Sequence, residues 1–324
     1  MRTRALLVVL EYGVAAAILY SLSRRDALDL DVLATIPAGL AVAGLAIVTV
    51  MVYLGSVRVK LLLRDQGIAI STARCFLFNC LSTFYSLLLP GGLSGDAARA
   101  YYLLREVEQR RAALLGSLIL DRVLGLLAMI GLGTAASAVL AFIKPSLLAY
   151  FVQVLAVFLV GLAGAAALVF VELKPRPART PNRAARAYEL VRNLVARLDI
   201  PGHSKKTLAQ ALILSVAIHS LTIVLIYLCS TLAGAGLDLI GVFSVAPLGL
   251  LANAVPVSPG GLGVGEQAFE LLYALVGGTN GASSFLTARF FIYSPALVGA
   301  LVAAMLFLRL HRIAPLGKPG DTTR

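Results

Sequence analysis

The chain has 324 residues, of which 59% are hydrophobic and 14% charged, with no tryptophan and a mean hydropathy of +0.90. Soluble domains carry about 25% charged residues, so the composition excludes an ordinary soluble enzyme and indicates a polytopic membrane protein. The net charge of +12 falls mostly in loops, which is the usual topology signal of a membrane protein, and nucleic acid is not an expected partner.

Apolar segments near the spanning length of about 20 residues fall at 5–22, 32–56, 112–143, 147–171, 208–232 and 285–308. The first runs straight into further spans and lacks a small-residue cleavage site, so it reads as a retained helix rather than a signal peptide. Two more apolar regions, 73–104 and 239–277, are interrupted by Pro90-Gly91-Gly92-Leu93 and Pro259-Gly260-Gly261-Leu262. Proline and clustered glycine break helices, and broken backbone inside a bilayer is tolerated only where protein or a cavity surrounds it. Each region reads as a re-entrant hairpin of two half-helices; two full but broken spans are the alternative for each.

Loop charge then sets the orientation. The N-terminus, 58–64, 99–111, 174–206 and the C-terminus hold 22 of the 28 lysines and arginines. They all fall on the cytoplasmic side if both termini are inside, six helices span, and the hairpins enter from opposite faces. The expected fold is all-α, one domain over 1–318, with halves 32–143 and 208–308 forming an inverted repeat. Segment 319–324 is an expected disordered tail. Within 174–206, apolar residues from Ala184 to Leu198 recur at three and four, with arginines between them. This is the pattern of a basic amphipathic helix on a leaflet surface, with anionic lipid as its partner.

Ionisable groups inside spans are costly, and each is a functional candidate. Asp96 and Glu266 follow their glycines at the start of helix-like stretches. They either cap those helices or line a pocket in which Gly91, Gly92, Gly260 and Gly261 present backbone N–H groups to an anion. Arg122 and Arg289 are fixed cations suited to bidentate phosphate contact. Asp96 with Arg122, and Glu266 with Arg289, are the symmetrical pairings; structural ion pairs holding the hairpins are the competing reading. Asp121 and Arg122 are adjacent, so they face different sides of a helix. Arg99 lies one turn beyond Asp96, facing either the same cavity or the cytoplasmic surface. Glu11 and Glu270 complete the candidates; His219 reads as a packing residue. Cys75, Cys80 and Cys229 have no metal-ligand spacing, and neither a nucleotide loop nor a catalytic triad stands out. No cofactor and no enzymatic activity are expected.

The stretches Leu-Leu-Leu-Pro90-Gly-Gly-Leu-Ser-Gly-Asp96-Ala-Ala-Arg99, Leu120-Asp121-Arg122-Val-Leu-Gly125, Val255-Pro256-Val-Ser258-Pro259-Gly-Gly-Leu-Gly263-Val-Gly-Glu266 and Ala288-Arg289 resemble the lysylphosphatidylglycerol synthase transmembrane region, a flippase-like family, over about residues 5–310. The resemblance implies a bacterial-type inner-membrane module that moves a phospholipid or lipid-linked headgroup between leaflets. The alternative is a non-catalytic subunit that presents lipid to a separate soluble transferase of lipid synthesis. It also implies that a soluble aminoacyltransferase domain, as in the multiple peptide resistance factor, is not part of these 324 residues.

Overall fold

A computed structural model describes residues 2–25, 27–88, 94–107, 109–170, 202–255 and 257–313; side chains are described for 12–25, 27–88, 94–107, 109–167, 202–255 and 257–306. Pro90, Gly91, Gly92, nearly all of the basic segment 174–206, the tail 319–324 and the side chain of Glu11 therefore lie outside the description. The described residues are helical, with no strand among them.

Among the described residues eleven main helices follow in order: α1 Arg2–Ser23, α2 Ala38–Asp65, α3 Thr72–Leu88, α4 Ser94–Glu106, α5 Arg111–Ile143, α6 Leu148–Phe170, α7 Lys205–Leu232, α8 Leu239–Asn253, α9 Val264–Val276, α10 Gly281–Ile292 and α11 Pro295–Ile313. Among the described residues five stretches are long and apolar enough to cross a membrane: Ala38–Asp65, Arg111–Ile143, Pro145–Ala167, Lys205–Leu232 and Gly281–Leu306. They match five of the six expected spans. The sixth expected span falls on α1, Arg2–Ser23, whose stretch with described side chains, Tyr12–Ser23, is apolar.

Several helix bounds differ from the sequence reading by a few residues, and two of the differences bear on the site. The span placed at 32–56 is a helix running to Asp65, so Arg58, Lys60 and Arg64 stand on α2 rather than in a loop. The apolar run of α2 continues through Val57, Val59 and Leu61–Leu63, and nothing in that stretch breaks a helix. The span placed at 285–308 is broken at Tyr293-Ser294, immediately before Pro295. Proline has no N–H to continue the ladder, and the residue before it is steered out of the α region.

The interrupted regions form α3 and α4, of 17 and 13 residues, and α8 and α9, of 15 and 13. At 1.5 Å per residue each is about 20–25 Å long, short of the roughly 30 Å hydrocarbon core. The Pro259–Gly261 turn joins α8 to α9, with Gly260 and Gly261 at φ +58° and +72°, a region glycine enters without steric cost.

The halves repeat one plan: a long helix, two short ones, then a long stretch, continuous as α5 in the N-terminal half and broken into α10 and α11 in the C-terminal half. Ala38 and Lys205, which start α2 and α7, are 167 positions apart, as are Thr72 and Leu239, which start α3 and α8. The starts of α4 and α9, and of α5 and α10, are 170 apart. Packing follows the same plan. The leading helices α2 and α7 lie against each other, and each half sends its last helix to the other half, α5 against α8 and α11 against α3. Glycine makes both crossings close. A Cβ at Gly133 would sit 2.9 Å from the Pro247 ring, and one at Gly299 would sit 2.2 Å from the Cys80 carbonyl. Cys80 and Pro247 are themselves 167 positions apart. Small residues let helix backbones approach where lipid supplies no hydrophobic drive between helices.

Candidate functional site

The candidate residues gather into two arginine-centred clusters, one in each half. In the N-terminal half, Asp96 lies in the first turn of α4 and Arg99 one turn later, while Asp121 and Arg122 lie on neighbouring faces of α5. Arg122 pairs with Asp96. Arg99 NH2 lies 3.5 Å from the same Asp96 carboxylate and 3.3 Å from Asp121 Oδ2. Arg58 of α2 donates from Nε to Asp121 Oδ1 at 2.6 Å. The result is a ladder of alternating sign, Arg122–Asp96–Arg99–Asp121–Arg58, joining α5, α4 and α2.

Polar side chains extend that ladder inward. Arg99 NH1 donates to Asn79 Oδ1 at 3.1 Å, and Asn79 Nδ2 donates to Ser56 Oγ at 3.0 Å. Arg58 NH1 donates to Ser215 Oγ of α7 at 2.7 Å. Gly125 leaves room beside Arg58 and His219, whose nitrogens would lie 3.4 and 3.5 Å from a Cβ there. Exposure changes along the ladder. The side chains of Asp121, Arg99 and Arg58 are 2%, 7% and 11% exposed, that of Asp96 is 23%, and that of Arg122 is 59%. Of the two faces open to Arg99, the structure uses the inner one.

In the C-terminal half, Arg289 of α10 is enclosed. Its Nε lies 2.6 Å from Glu266 Oε1. NH1 donates to the Gly260 carbonyl at 2.6 Å and to the Tyr293 hydroxyl at 3.2 Å. NH2 donates to Asn253 Oδ1 at 2.7 Å, the Gly261 carbonyl at 3.1 Å and Glu266 Oε2 at 3.2 Å. The guanidinium also lies over the Phe285 ring, 4.8 Å from its centroid. The Tyr293 hydroxyl donates to Gly260 O at 2.7 Å. Glu266, in the first turn of α9 and fully buried, accepts from Gly263 N–H at 2.7 Å. Gly260 and Gly261 thus present carbonyls to Arg289, and the Gly261 N–H bonds to Ser258 O.

The helices around the two clusters are set differently. In the C-terminal half α9 packs along α10. Gly281 lets the Phe269 backbone come close, and the Phe269 and Phe285 rings stack with centroids 4.1 Å apart. In the N-terminal half α4 touches α5 sparingly, and the ion pairs bridge the space. The clusters belong to one assembly, because the Pro259–Gly261 turn packs against α3, where Leu87 would come within 3.6 Å of a Cβ at Gly260.

Of the expected residues, Asp96, Arg99, Asp121 and Arg122 meet in one cluster, and Gly260, Gly261, Glu266 and Arg289 in the other; both symmetrical pairings form. Glu270 lies apart and caps α10 by accepting from Ala282 N–H at 3.0 Å. The sequence reading missed Arg58, which it assigned to a loop, and Tyr293. Arg58 could have been found from the unbroken apolar run on both sides of it, and Tyr293 from its place one turn after Arg289.

A family model described as lysylphosphatidylglycerol synthase TM region matches residues 5–300. A comparison with curated proteins found no match.

Proposed function

The chain belongs to the lysylphosphatidylglycerol synthase transmembrane region family, and from that premise we propose that it is a lipid translocase. It carries a phospholipid or lipid-linked headgroup between the leaflets of a bacterial-type plasma membrane. Both termini are cytoplasmic, and α3–α4 and α8–α9 are hairpins that enter the bilayer from opposite faces. The exchange of last helices between halves supports that arrangement, since an inverted repeat brings such halves together around a shared site.

The observation that carries this reading is the ladder Arg122–Asp96–Arg99–Asp121–Arg58 in an otherwise apolar bundle. Five charges on membrane helices are expensive to hold. Their alternation reduces that cost, and their open end gives a polar headgroup a place among apolar helices while its acyl chains stay in lipid. Arginine supplies the planar donors that phosphate takes up.

Reconstitution tests it. Purified protein in vesicles bearing headgroup-labelled phospholipids moves label between leaflets with no soluble enzyme added. If a broad lipid panel stays put, with and without a proton gradient, the translocase reading fails. Chemical conversion of lipid only when a soluble transferase is added favours a lipid-presenting subunit instead.

A further inference from the structure

The two clusters have the same ingredients and opposite accounts of charge. In the C-terminal half one arginine faces one glutamate, and every nitrogen of Arg289 lies against a protein oxygen. That cluster is neutral and closed. In the N-terminal half three arginines, Arg58, Arg99 and Arg122, face two aspartates, Asp96 and Asp121. That cluster carries one positive charge more than its carboxylates balance, in surroundings where an unbalanced charge is costly.

The excess has a definite place. Asp121 is taken up by Arg99, which is buried, and by Arg58, which is nearly so. Asp96 is shared between Arg99 and Arg122. Among the described residues the hydrogen bond and ion pair of Arg122 both go to Asp96, through NH2, and its side chain is 59% exposed. Its Nε and NH1 groups remain for another acceptor, at the edge where α4 stands off from α5.

We propose that the translocase site is one-sided: the N-terminal cluster binds a single phosphodiester monoanion at Arg122, and the C-terminal cluster binds no cargo but clamps the Pro259–Gly261 turn. The proposal rests on the lipid-translocase reading and assigns the charge of the headgroup it engages. One unit of negative charge balances the cluster, which is what the phosphate of a phosphodiester carries; a phosphomonoester brings up to two, and Asp96 at the same edge opposes the second. A zwitterionic lipid has the same phosphate, but its ammonium restores the excess the cluster needs to lose. The acceptor is a lipid headgroup or a free phosphodiester, which share this chemistry.

Binding to the protein in detergent distinguishes these cases, with phosphatidylglycerol, phosphatidylcholine, phosphatidic acid and soluble glycerophosphoglycerol as probes. Phosphatidylglycerol is expected to bind tightest, and Arg122→Gln to weaken it at least about tenfold, the loss that accompanies removal of a charged hydrogen-bond partner. Arg122→Lys keeps part of the affinity. Because the Arg122 side chain is exposed, the thermal unfolding of both variants stays near that of the unaltered protein. Arg289→Gln lowers thermal stability and leaves the affinity of the folded fraction unchanged. Equal binding by Arg122→Gln, equal binding of phosphatidylcholine, or loss of affinity in folded Arg289→Gln each overturns the one-sided site. Soluble glycerophosphoglycerol binding as tightly as the lipid keeps the anion site and overturns the lipid as its source. Leaflet exchange without Arg122-dependent binding sinks this site and spares the translocase; Arg122-dependent binding without exchange does the reverse.

Discussion

Arg289 and Glu266 meet at 2.6 Å with side chains 6% and 0% exposed, and the arginine spends its remaining donors on the carbonyls of Gly260 and Gly261, on Asn253 and on Tyr293. One side chain thus gathers the end of α8, the Pro-Gly-Gly turn, the start of α9 and the C-terminal end of α10. Breaking a buried pair by removing one partner strands the other, at a cost of about 3–5 kcal/mol. Arg289→Ala and Glu266→Ala should each lower the unfolding temperature of the purified protein sharply. Arg289→Met combined with Glu266→Leu should be milder than the sum of the singles, because no charge is left behind. Thermal unfolding of the three variants checks this, and additive losses would contradict it.

Arg58 and Asp121 form the inner end of the other ladder, both nearly excluded from solvent. Their contact predicts non-additive stability effects. A double-mutant cycle with Arg58→Ala and Asp121→Ala should return a coupling on the order of 1–3 kcal/mol, the range for residues that share a network. Asp121→Asn should be more damaging than Arg122→Gln, since it leaves both Arg58 and Arg99 short of a counter-charge, whereas without Arg122 the Asp96 carboxylate still has Arg99 beside it. Unfolding midpoints in detergent measure both comparisons.

The helix crossings make a steric prediction. A methyl at Gly299 meets the backbone carbonyl of Cys80 at 2.2 Å, whereas one at Gly133 meets the side chain of Pro247 at 2.9 Å. A backbone can give way only by moving its helix. Gly299→Ala should therefore destabilise more than Gly133→Ala, with overpacking costs of about 1–3 kcal/mol. Expression level and the monodisperse fraction after extraction rank the two variants.

Orientation is testable without any substrate. Ala69, on the connection from α2 to α3, and Thr279, on the connection from α9 to α10, are both exposed. The proposed inverted repeat would put them on opposite sides of the membrane. Cys75, Cys80 and Cys229 are buried, so cysteines introduced as Ala69→Cys and Thr279→Cys dominate labelling. An impermeant thiol reagent should reach Thr279→Cys from outside intact cells and Ala69→Cys only after the membrane is opened. Labelling of both from one side contradicts the repeat.

Much of this architecture is legible in the sequence because the bilayer imposes strong rules. Apolar runs mark the long helices, and Pro259-Gly260-Gly261 marks the turn between two short ones, since both features follow from backbone chemistry alone. The pairings Asp96–Arg122 and Glu266–Arg289 are also legible, because a charge within an apolar region needs a partner and few are on offer. The unequal character of the clusters is not. Asp96 and Glu266 are each the third residue of their helices, but Arg122 is the twelfth residue of α5 and Arg289 the ninth of α10. That shift of about one turn places Arg289 beside its turn, and no local pattern announces it. Arg58 escaped for a related reason: a positive residue near a helix end reads as a loop charge until Asp121 is seen facing it from another helix.

The central claim is that lipid crosses the membrane by way of the open N-terminal cluster. Its most direct test is leaflet exchange of labelled phosphatidylglycerol in vesicles holding the unaltered protein or folded Arg122→Gln at equal density. Exchange is expected with the first, and exchange near that of protein-free vesicles with the second. Equal exchange by the two proteins, or none by either, would contradict it.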